Sequence, residues 1–449
     1  ITLEQETDTI AIKVTKFGGS SMADAGQFRK VKAIIEADAA RQFVVPSAPG
    51  KRFLGDDKVT DLLYLAYAQF ASGASYQDTW DKIRERYCSI ERELRLSTNI
   101  SAELDAIAKN LENGASEDYM ASRGEYLNAL LLADYLGFEF VDAAELIFFH
   151  SDGTYDDETT LIWSQKLETM KKVVVPGFYG RKRDGSIKTF SRGGSDITGA
   201  IVARAAHADV YENWTDVSGF LMADPRIVEN PKVIRTVTYS ELRELSYMGA
   251  TVLHEDSIFP VRKAHIPINV RNTNAPEEEG TMVVPDSYLQ YYKRSGTLTG
   301  IAGRRGFTVI TVFKDNMHNE VGFGYRLLRV LERYNVSFEH VPSGIDTMSL
   351  VIADLKLKEH LEQILREIRR DCNPNTIELQ SNMALIATVG KGMVRSVGTA
   401  ARLFGALYEA GINVRMIDQG SSEMNIIVGI ESDDFENAMR AIYKAFAAE

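Results

Sequence analysis

In the stretch KVTKFGGSSM (Lys13–Met22), a lysine stands just ahead of paired glycines and two serines. A glycine turn between a β-leaning run and a helical pattern exposes backbone N–H groups, which suits a phosphate. The widespread phosphate loop, G-x-x-x-x-G-K-[ST], carries its lysine after the glycines. Here Lys16 precedes Gly18, Gly19, Ser20 and Ser21, so the stretch is either a nucleotide site of another kind or a plain tight turn. FSRGGSDITGA repeats the pattern with Arg192, Gly193, Gly194, Ser195 and Asp196. Two helix N-termini aimed at one place would hold a polyphosphate between them. Ser and Asp at a helix start are equally ordinary N-caps.

Three further stretches carry polar residues of the right types. In NWTDVSGFLMADPRIV, Thr215 and Asp216 follow an apolar run, and Asp224-Pro225-Arg226 sets a carboxylate and a guanidinium in a proline-fixed turn. Arginine is a bidentate phosphate partner, and an aspartate bonds a ribose, an adenine amine or a metal-bound water; a lone DPR also forms an Asx-turn with a surface arginine. In SRGEYLNA, Glu125 falls early in a long amphipathic run, where the helix dipole favours a carboxylate in any case. PSAPGKRFLGDDKVTDLL offers Ser47, Gly50 and Thr60 either to a small polar pocket or to a surface loop.

The elements that must position these residues alternate along the chain. IAIKVTKF, QFVVPSA, KKVVVPGF, ADVYENWTDV and IPINVRN read as buried strands, with helices such as SRGEYLNALLLADYLG and SDITGAIVARAAHA between them. That alternation predicts a mostly parallel sheet covered on both faces. Ligands of such sheets gather at the carboxyl ends of the strands, where KFGGSS, PSAPGK, GFYGRK and NWTDVSG all fall. The 449 residues predict two or three domains. A 45% hydrophobic and 25% charged composition is that of a soluble globular protein. Two cysteines, Cys88 and Cys372, form no spaced framework, so a reducing, cytoplasmic setting is expected. The polar start ITLEQETDTI does not read as a signal peptide, no run is apolar enough for a membrane helix, and a net charge of −12 argues against a nucleic-acid partner. Any anionic ligand must therefore find cations gathered locally.

The stretch from Asn274 to Gly296, rich in Pro, Glu and Tyr, reads as a connector. Beyond it lies an internal repeat: VGFGYRLLRVLERYNVSFEHVPSG from Val321 aligns without a gap on VGTAARLFGALYEAGINVRMIDQG from Val397. With FTVITVF and MALIATVG in front, and TMSLVIADL or EMNIIVGI plus a helix behind, each copy spells β-α-β-β-α-β, a ferredoxin-like unit.

Taken in order, KFGGSS, SAPGK…TDLL, the GE of SRGEYLNA, SRGGSD, WTDVSG…DPR and GATVLH resemble the aspartate kinases of the amino acid kinase superfamily, and the repeat resembles their paired ACT domains. The resemblance runs from about Ala11 to the end. It implies an α/β protein: a three-layer α/β/α kinase domain with a mostly parallel sheet over residues 1–297, then ACT-like units over 298–382 and 383–449, whose strands relatives often interleave. It implies phosphorylation of the β-carboxylate of L-aspartate by MgATP to 4-phospho-L-aspartate, the first step of lysine, threonine and methionine biosynthesis, with Mg²⁺ held mainly by the ATP phosphates. Lys16 would hold the transferring phosphate and Gly18, Gly19, Ser20 and Ser21 would cradle the phosphates. Ser47 and Thr60 would sit near the substrate β-carboxylate, with Glu125 on its ammonium group and Arg192 on its α-carboxylate. Ser195 and Asp196 would complete the aspartate and phosphate side; Thr215, Asp216, Asp224 and Arg226 would serve the nucleotide. The chemistry agrees: a carboxylate nucleophile is already ionised at neutral pH, so no general base is required, and phosphoryl transfer is mainly positioning and charge neutralisation.

The sequence departs from the family in GATVLHEDS, where Thr251 and Glu255 stand at positions the family usually gives to lysine and proline. Either Lys16, Arg226 and the metal suffice, or Lys182 or Arg183 substitutes; the first is expected. The ACT resemblance implies an end-product sensor and a homo-oligomer, dimer or tetramer, formed through these units. Its pocket would involve Met317, Val321, Gly322, Phe323, Ser337, Phe338, Glu339 and Ser343, with Glu339 favouring lysine over threonine as effector. Phe338 and Val321 are equally readable as core. A competing class is an amino-acid-binding regulator whose kinase half is impaired; Thr251 alone favours it. A fused homoserine dehydrogenase is not expected, since no G-x-G-x-x-G unit follows the second repeat.

Overall fold

The structure is a computed structural model that describes residues 11–191, 193–250, 253, 258–291, 296–394 and 396–447. They fall into two compact units, one of Ile1–Phe220, Val233–Tyr239 and Val252–Arg294, the other of Leu221–Lys232, Ser240–Thr251 and Ser295–Glu449.

The strands of the first unit are β1 (Lys13–Phe17), β2 (Arg41–Pro46), β3 (Glu139–Phe140), β4 (Phe148–Phe149), β5 (Val173–Val174), β6 (Tyr179–Lys182), β7 (Ile187–Thr189), β8 (Val210–Thr215), β9 (Thr236–Thr238), β10 (Ile268–Asn272) and β11 (Thr281–Val284). The main sheet runs β3-β5-β2-β1-β8-β10-β11-β9. Its pairings are parallel except that between β10 and β11. Every residue of β2 is buried, as expected of a strand covered on both faces. Helices α1 (Ala25–Glu36), α2 (Val59–Ala71), α3 (Gln77–Leu94), α4 (Ile100–Glu112) and α5 (Glu117–Leu136) cover one face, where Phe17, Val44, Val174 and Trp214 meet Phe28, Leu63, Trp80, Tyr87 and Leu131. After α6 (Asp157–Ser164), α7 (Gly194–Ala205) covers the other face. Alternation along β8 shows the division: Glu212 and Trp214 turn to the first set of helices, Tyr211 and Asn213 to α7. A Cβ at Gly199 of α7 would lie 2.6 Å from the Tyr211 hydroxyl, so only glycine lets the helix sit this close. The expected three-layer α/β/α arrangement with a mostly parallel sheet is therefore present.

Two expectations need correction. The stretch 274–296 is not all connector, because β11 lies within it and extends the sheet. The YGRK of GFYGRK is itself a strand, β6, of a separate small sheet ordered β4-β6-β7. In both cases the segments are too short to show a periodic pattern.

The second unit is built on one antiparallel sheet of β12 (Gly300–Phe313), β13 (Thr347–Ala353), β14 (Thr376–Val389), β15 (Met416–Asp418) and β16 (Asn425–Glu431), in the order β13-β12-β14-β16-β15. β12 and β14 are long because each serves both repeat copies. Residues 307–313 pair with β13 and with 376–383, whereas 300–305 pair with 384–389, which pair onward with β16. The register breaks around Gly306, whose φ is +89°. The strand that completes the second copy thus precedes the first in sequence. Helices Phe323–Arg333 and Leu361–Cys372 bury Leu327, Val330, Ile364 and Ile368 on Ile310 and Leu350. Helices Thr399–Glu409 and Phe435–Phe446 bury Leu403, Leu407, Met439 and Ile442 on Ile386 and Val428. The strand expected in NVSFEHVPSG forms only the isolated bridges His340–Val351 and Ser343–Met348.

Candidate active site

Lys16 lies near the carboxyl end of β1, in register with Val45 of β2 and Asn213 of β8. It is 8% exposed, and its Nζ is 2.7 Å from Asp196 Oδ1. Asn213 Nδ2 donates to the same oxygen at 2.8 Å. The Asp196 carboxylate therefore holds the lysine and does not cap its own helix. The N-cap of α7 is Gly193, left-handed at φ +58°, with no side-chain cap bond, so the first-turn N–H groups keep their capacity to meet an anion. A Cβ at Gly18 would come within 3.7 Å of Lys16 Nζ; glycine leaves that side of the amine open.

The first glycine loop differs from expectation. Gly19–Met22 form a short 3-10 turn, and α1 starts only at Ala25, capped by Asp24, which accepts from Gln27 N at 2.9 Å. The turn itself, and not a helix N-terminus, is what this loop can offer to a phosphate. It is fixed on all sides: Gly18 N donates to Trp214 O at 2.9 Å, Ser47 N to Phe17 O at 3.0 Å and Gly50 N to Gly19 O at 2.8 Å. A Cβ at Gly50 would meet Gly19 C at 2.6 Å and Ser20 N at 2.8 Å, so the two loops touch backbone to backbone. Ser21 Oγ pairs with Thr273 Oγ1 at 2.8 Å.

The loop after β2 is locked by ion pairs. Arg86 donates to Gly50 O at 2.8 Å and to Asp56 at 2.7 Å, and Arg52 grips both oxygens of Asp56 at 2.9 Å. The Arg52 hydrogen bond foremost, with Arg86 beside it, holds the Asp56 carboxyl far below the usual range against the pull of burial. Beyond this loop, Thr60 sits half-buried in the first turn of α2.

Opposite, α5 presses onto Ser47 and Ala48. A Cβ at Gly124 would lie 2.8 Å from Ala48 Cβ. Asn128 is wholly buried, and its Nδ2 donates to Ser47 O at 2.6 Å. Glu125 is 5% exposed and one oxygen, Oε2, is buried without a hydrogen-bond partner among the described residues, as is Asn128 Oδ1. Burial pushes the Glu125 carboxyl up to about 8, although the Ala48 backbone and Arg123 favour its charged form. Two orphaned acceptors at ~1–3 kcal/mol each are a cost that a ligand's donors would relieve. Ser195 is buried against Gly177, where a Cβ would come within 2.5 Å of Ser195 Oγ.

The structure thus brings together Lys16, Gly18, Gly19, Ser20, Ser47, Asp196 and the neighbouring Glu125. Thr215 ends β8, accepts from Thr273 N at 2.8 Å and donates to the exposed Asp216 at 3.3 Å. Asp224 and Arg226 belong to the second unit, where Asp224 accepts from Arg226 N and Nε in an Asx-turn and Arg226 is otherwise exposed. Lys182 ends β6, and Arg183 lies 3.7 Å from Asp156. Arg192, Thr251 and Glu255 lie outside the described residues. Of the expected effector residues, Met317 and Phe323 are core, whereas Val321, Gly322, Ser337, Phe338 and Ser343 are exposed. Glu339 bonds Tyr247 Oη and, at 3.2 Å, Lys356 Nζ. Sequence reasoning missed Asn213 and Asn128. Their one signal is a polar residue inside an otherwise buried strand or helix face.

Glycine turns and a buried lysine are gathered at the carboxyl ends of a mostly parallel sheet, an arrangement suited to a phosphate-bearing ligand. Residues 11–272 match the amino acid kinase family and residues 386–446 an ACT domain. Over 453 residues, 97% of this chain and 99% of the relative, the sequence is 38% identical to aspartokinase 3 of Bacillus subtilis. The crystal structure of Clostridium acetobutylicum aspartate kinase shares 53% identity and a TM-score of 0.88, over 97% of this chain and 100% of that one. Escherichia coli aspartokinase III, 26% identical over 97% of this chain and 99% of its own, gives a TM-score of 0.71 in complex with aspartate and ADP (R-state); with lysine and aspartate (T-state) the score is 0.70, over 96% and 99%. The chain belongs to the amino acid kinase family, as an aspartate kinase.

Proposed function

We propose that this aspartate kinase transfers the terminal phosphoryl group of MgATP to the β-carboxylate of L-aspartate, giving 4-phospho-L-aspartate for lysine, threonine and methionine synthesis. The observation that carries the reading is the Lys16–Asp196–Asn213 arrangement at the carboxyl ends of β1 and β8. On it, Lys16 steadies the transferring phosphate; the Gly18–Ser21 turn cradles the phosphates with the N–H groups of Gly19 and Ser20, and the first turn of α7, with Ser195, supplies further backbone donors. Ser47, Thr60, Glu125 and Arg192 receive the amino acid; Thr215, Asp216, Asp224 and Arg226 serve the nucleotide. Magnesium arrives with ATP and neutralises the phosphate charge that would otherwise repel the attacking carboxylate.

The second unit is proposed as the sensor, divided as residues 298–382 and 383–449 with strands exchanged between the halves, and lysine as the effector, received near Glu339. The pairing of Glu339 with the chain's own Lys356 supports a site suited to an alkylammonium group. Aspartokinase III of E. coli, solved with lysine in its T-state, is a relative of this chain. Inhibition requires lysine to bind one of two states more tightly. The test is trapping of the acyl phosphate with hydroxylamine, which must yield the β-hydroxamate of aspartate in amounts equal to ADP released. Lysine, threonine and methionine added separately then identify the effector; ADP release with no hydroxamate would refute the reaction.

A further inference from the structure

The peptide unit between Ser47 and Ala48 is held from α5: Asn128 Nδ2 donates to the Ser47 carbonyl at 2.6 Å, and a Cβ at Gly124 of the same helix would lie 2.8 Å from Ala48 Cβ. On the same helix, Glu125 Oε2 and Asn128 Oδ1 are both buried and without a partner among the described residues. The two residues are three apart on one helix, so they sit one turn from each other on the same face. The Asn128 amide cannot be turned over, because its nitrogen is committed to a carbonyl that only accepts. A carboxyl group and an amide oxygen one helical turn apart, both buried and unmatched, suit a ligand group that carries several N–H donors and a positive charge on one atom, which draws the carboxyl into its ionised form.

We propose that Asn128 is a specificity residue of the kinase: its Oδ1 is a second acceptor, beside Glu125, for the α-ammonium group of the amino-acid substrate. The inference rests on the reading of Glu125 as that group's partner and extends it. Glu125 supplies the charge and Asn128 the direction. A primary ammonium, with three donors, satisfies both oxygens at once, while an acceptor lacking the amino group, or carrying it acylated, leaves Asn128 Oδ1 orphaned. The same side chain pins Ser47, so recognition of the ammonium and placement of the loop that faces the β-carboxylate are joined in one residue.

The experiment compares dissociation constants of L-aspartate and of succinate, which keeps both carboxylates and lacks the amino group, for the whole enzyme with MgADP. In Asn128→Leu, which keeps the branching and heavy-atom count and removes both amide functions, the preference for aspartate over succinate is expected to fall about tenfold or more, the value of a hydrogen bond to a charged group. If both ligands weaken equally, Asn128 acts only through Ser47 and the proposal is overturned. Glu125→Gln is measured in parallel. A lost preference there with an intact one in Asn128→Leu rejects this proposal alone, whereas an intact preference in Glu125→Gln rejects the underlying reading of Glu125. Should Asn128→Leu not fold, Asn128→Ala, which also leaves no acceptor at this position, provides the same comparison.

Discussion

Removing the cation at residue 16 tests the site at its centre. Lys16→Met keeps the length of the side chain and its packing along β1 but deletes the amine that stands 2.7 Å from Asp196. Two effects separate. On stability, Asp196 loses its ion-pair partner but keeps the Asn213 bond at 2.8 Å, and its side chain is 19% exposed, so water can replace part of the loss. The cost is about 1–2 kcal/mol, well short of the ~3–5 kcal/mol of breaking a fully buried pair. On catalysis, a fixed charge aimed at developing negative charge is worth about 2.7–4 kcal/mol, a hundred- to a thousandfold in kcat. Because the lysine is assigned to the transferring phosphate, ADP, which lacks it, should bind the variant within about threefold of wild type. The assay is coupled ADP release for kcat and calorimetry for ADP, with Lys16→Met combined with Asp196→Asn to see whether the two losses overlap, as they must if Asp196 works by holding Lys16. A kcat within tenfold of wild type, or ADP binding lost in step with kcat, would refute the assignment of Lys16.

The other expectations concern ionisation, packing and regulation. With its carboxyl raised from 4.5 to about 8 by burial, Glu125 binds a proton in the folded chain that the unfolded chain gives up; stability should therefore decline as pH rises from about 4.5 to 8 and level off above, and Glu125→Gln should flatten that decline in thermal melts. Aspartate binding at pH 7 should release close to one proton, detectable as a dependence of calorimetric heat on buffer ionisation, and Glu125→Gln should abolish the release. Gly50→Ala drives a methyl into the Gly19 and Ser20 backbone and should cost about 1–3 kcal/mol in denaturant melts while raising the KM for ATP more than that for a mere surface change. Lys356→Met should sharpen lysine inhibition by freeing Glu339, and Glu339→Ala should relieve it; equal inhibition curves for both variants and wild type would remove Glu339 from the effector site.

What the sequence revealed follows from how each feature is encoded. β1, β2 and β8 are five or six residues of nearly unbroken burial, so their hydrophobic runs stand out. β3 and β5 are two residues and β9 three, too short for any period, and β11 hides behind a run of glutamates. The repeat was legible because both copies begin with a glycine that must take positive φ, +82° at Gly322 and +90° at Gly398. The strand exchange was not, because GIAGRR at the start of β12 carries glycines and arginines that read as a linker. At the site, glycines next to Lys16 and Asp196 mark themselves by spacing. Asn128 and Asn213 do not, since their meaning lies in partners 81 and 17 residues away in the chain.

The local cation problem of a chain with net charge −12 has a solution that spacing alone did not suggest. Lys16 is not a free positive charge: Asp196 stands 2.7 Å from its amine, so the pair draws a polyphosphate only at short range. On the proposed reading, attraction next to this pair comes, beside Mg²⁺ and the assigned arginines, from groups that carry no formal charge: the Gly19 and Ser20 N–H donors of the Gly18–Ser21 turn and the first turn of α7, whose N-cap is Gly193. These act only within a few ångströms, so the acidic surface need not be offset. The value of the Lys16–Asp196 pair is then orientation. An amine already bonded at a buried site requires little reorganisation when negative charge shifts between phosphate and carboxylate, and that economy of motion is where electrostatic catalysis gains most.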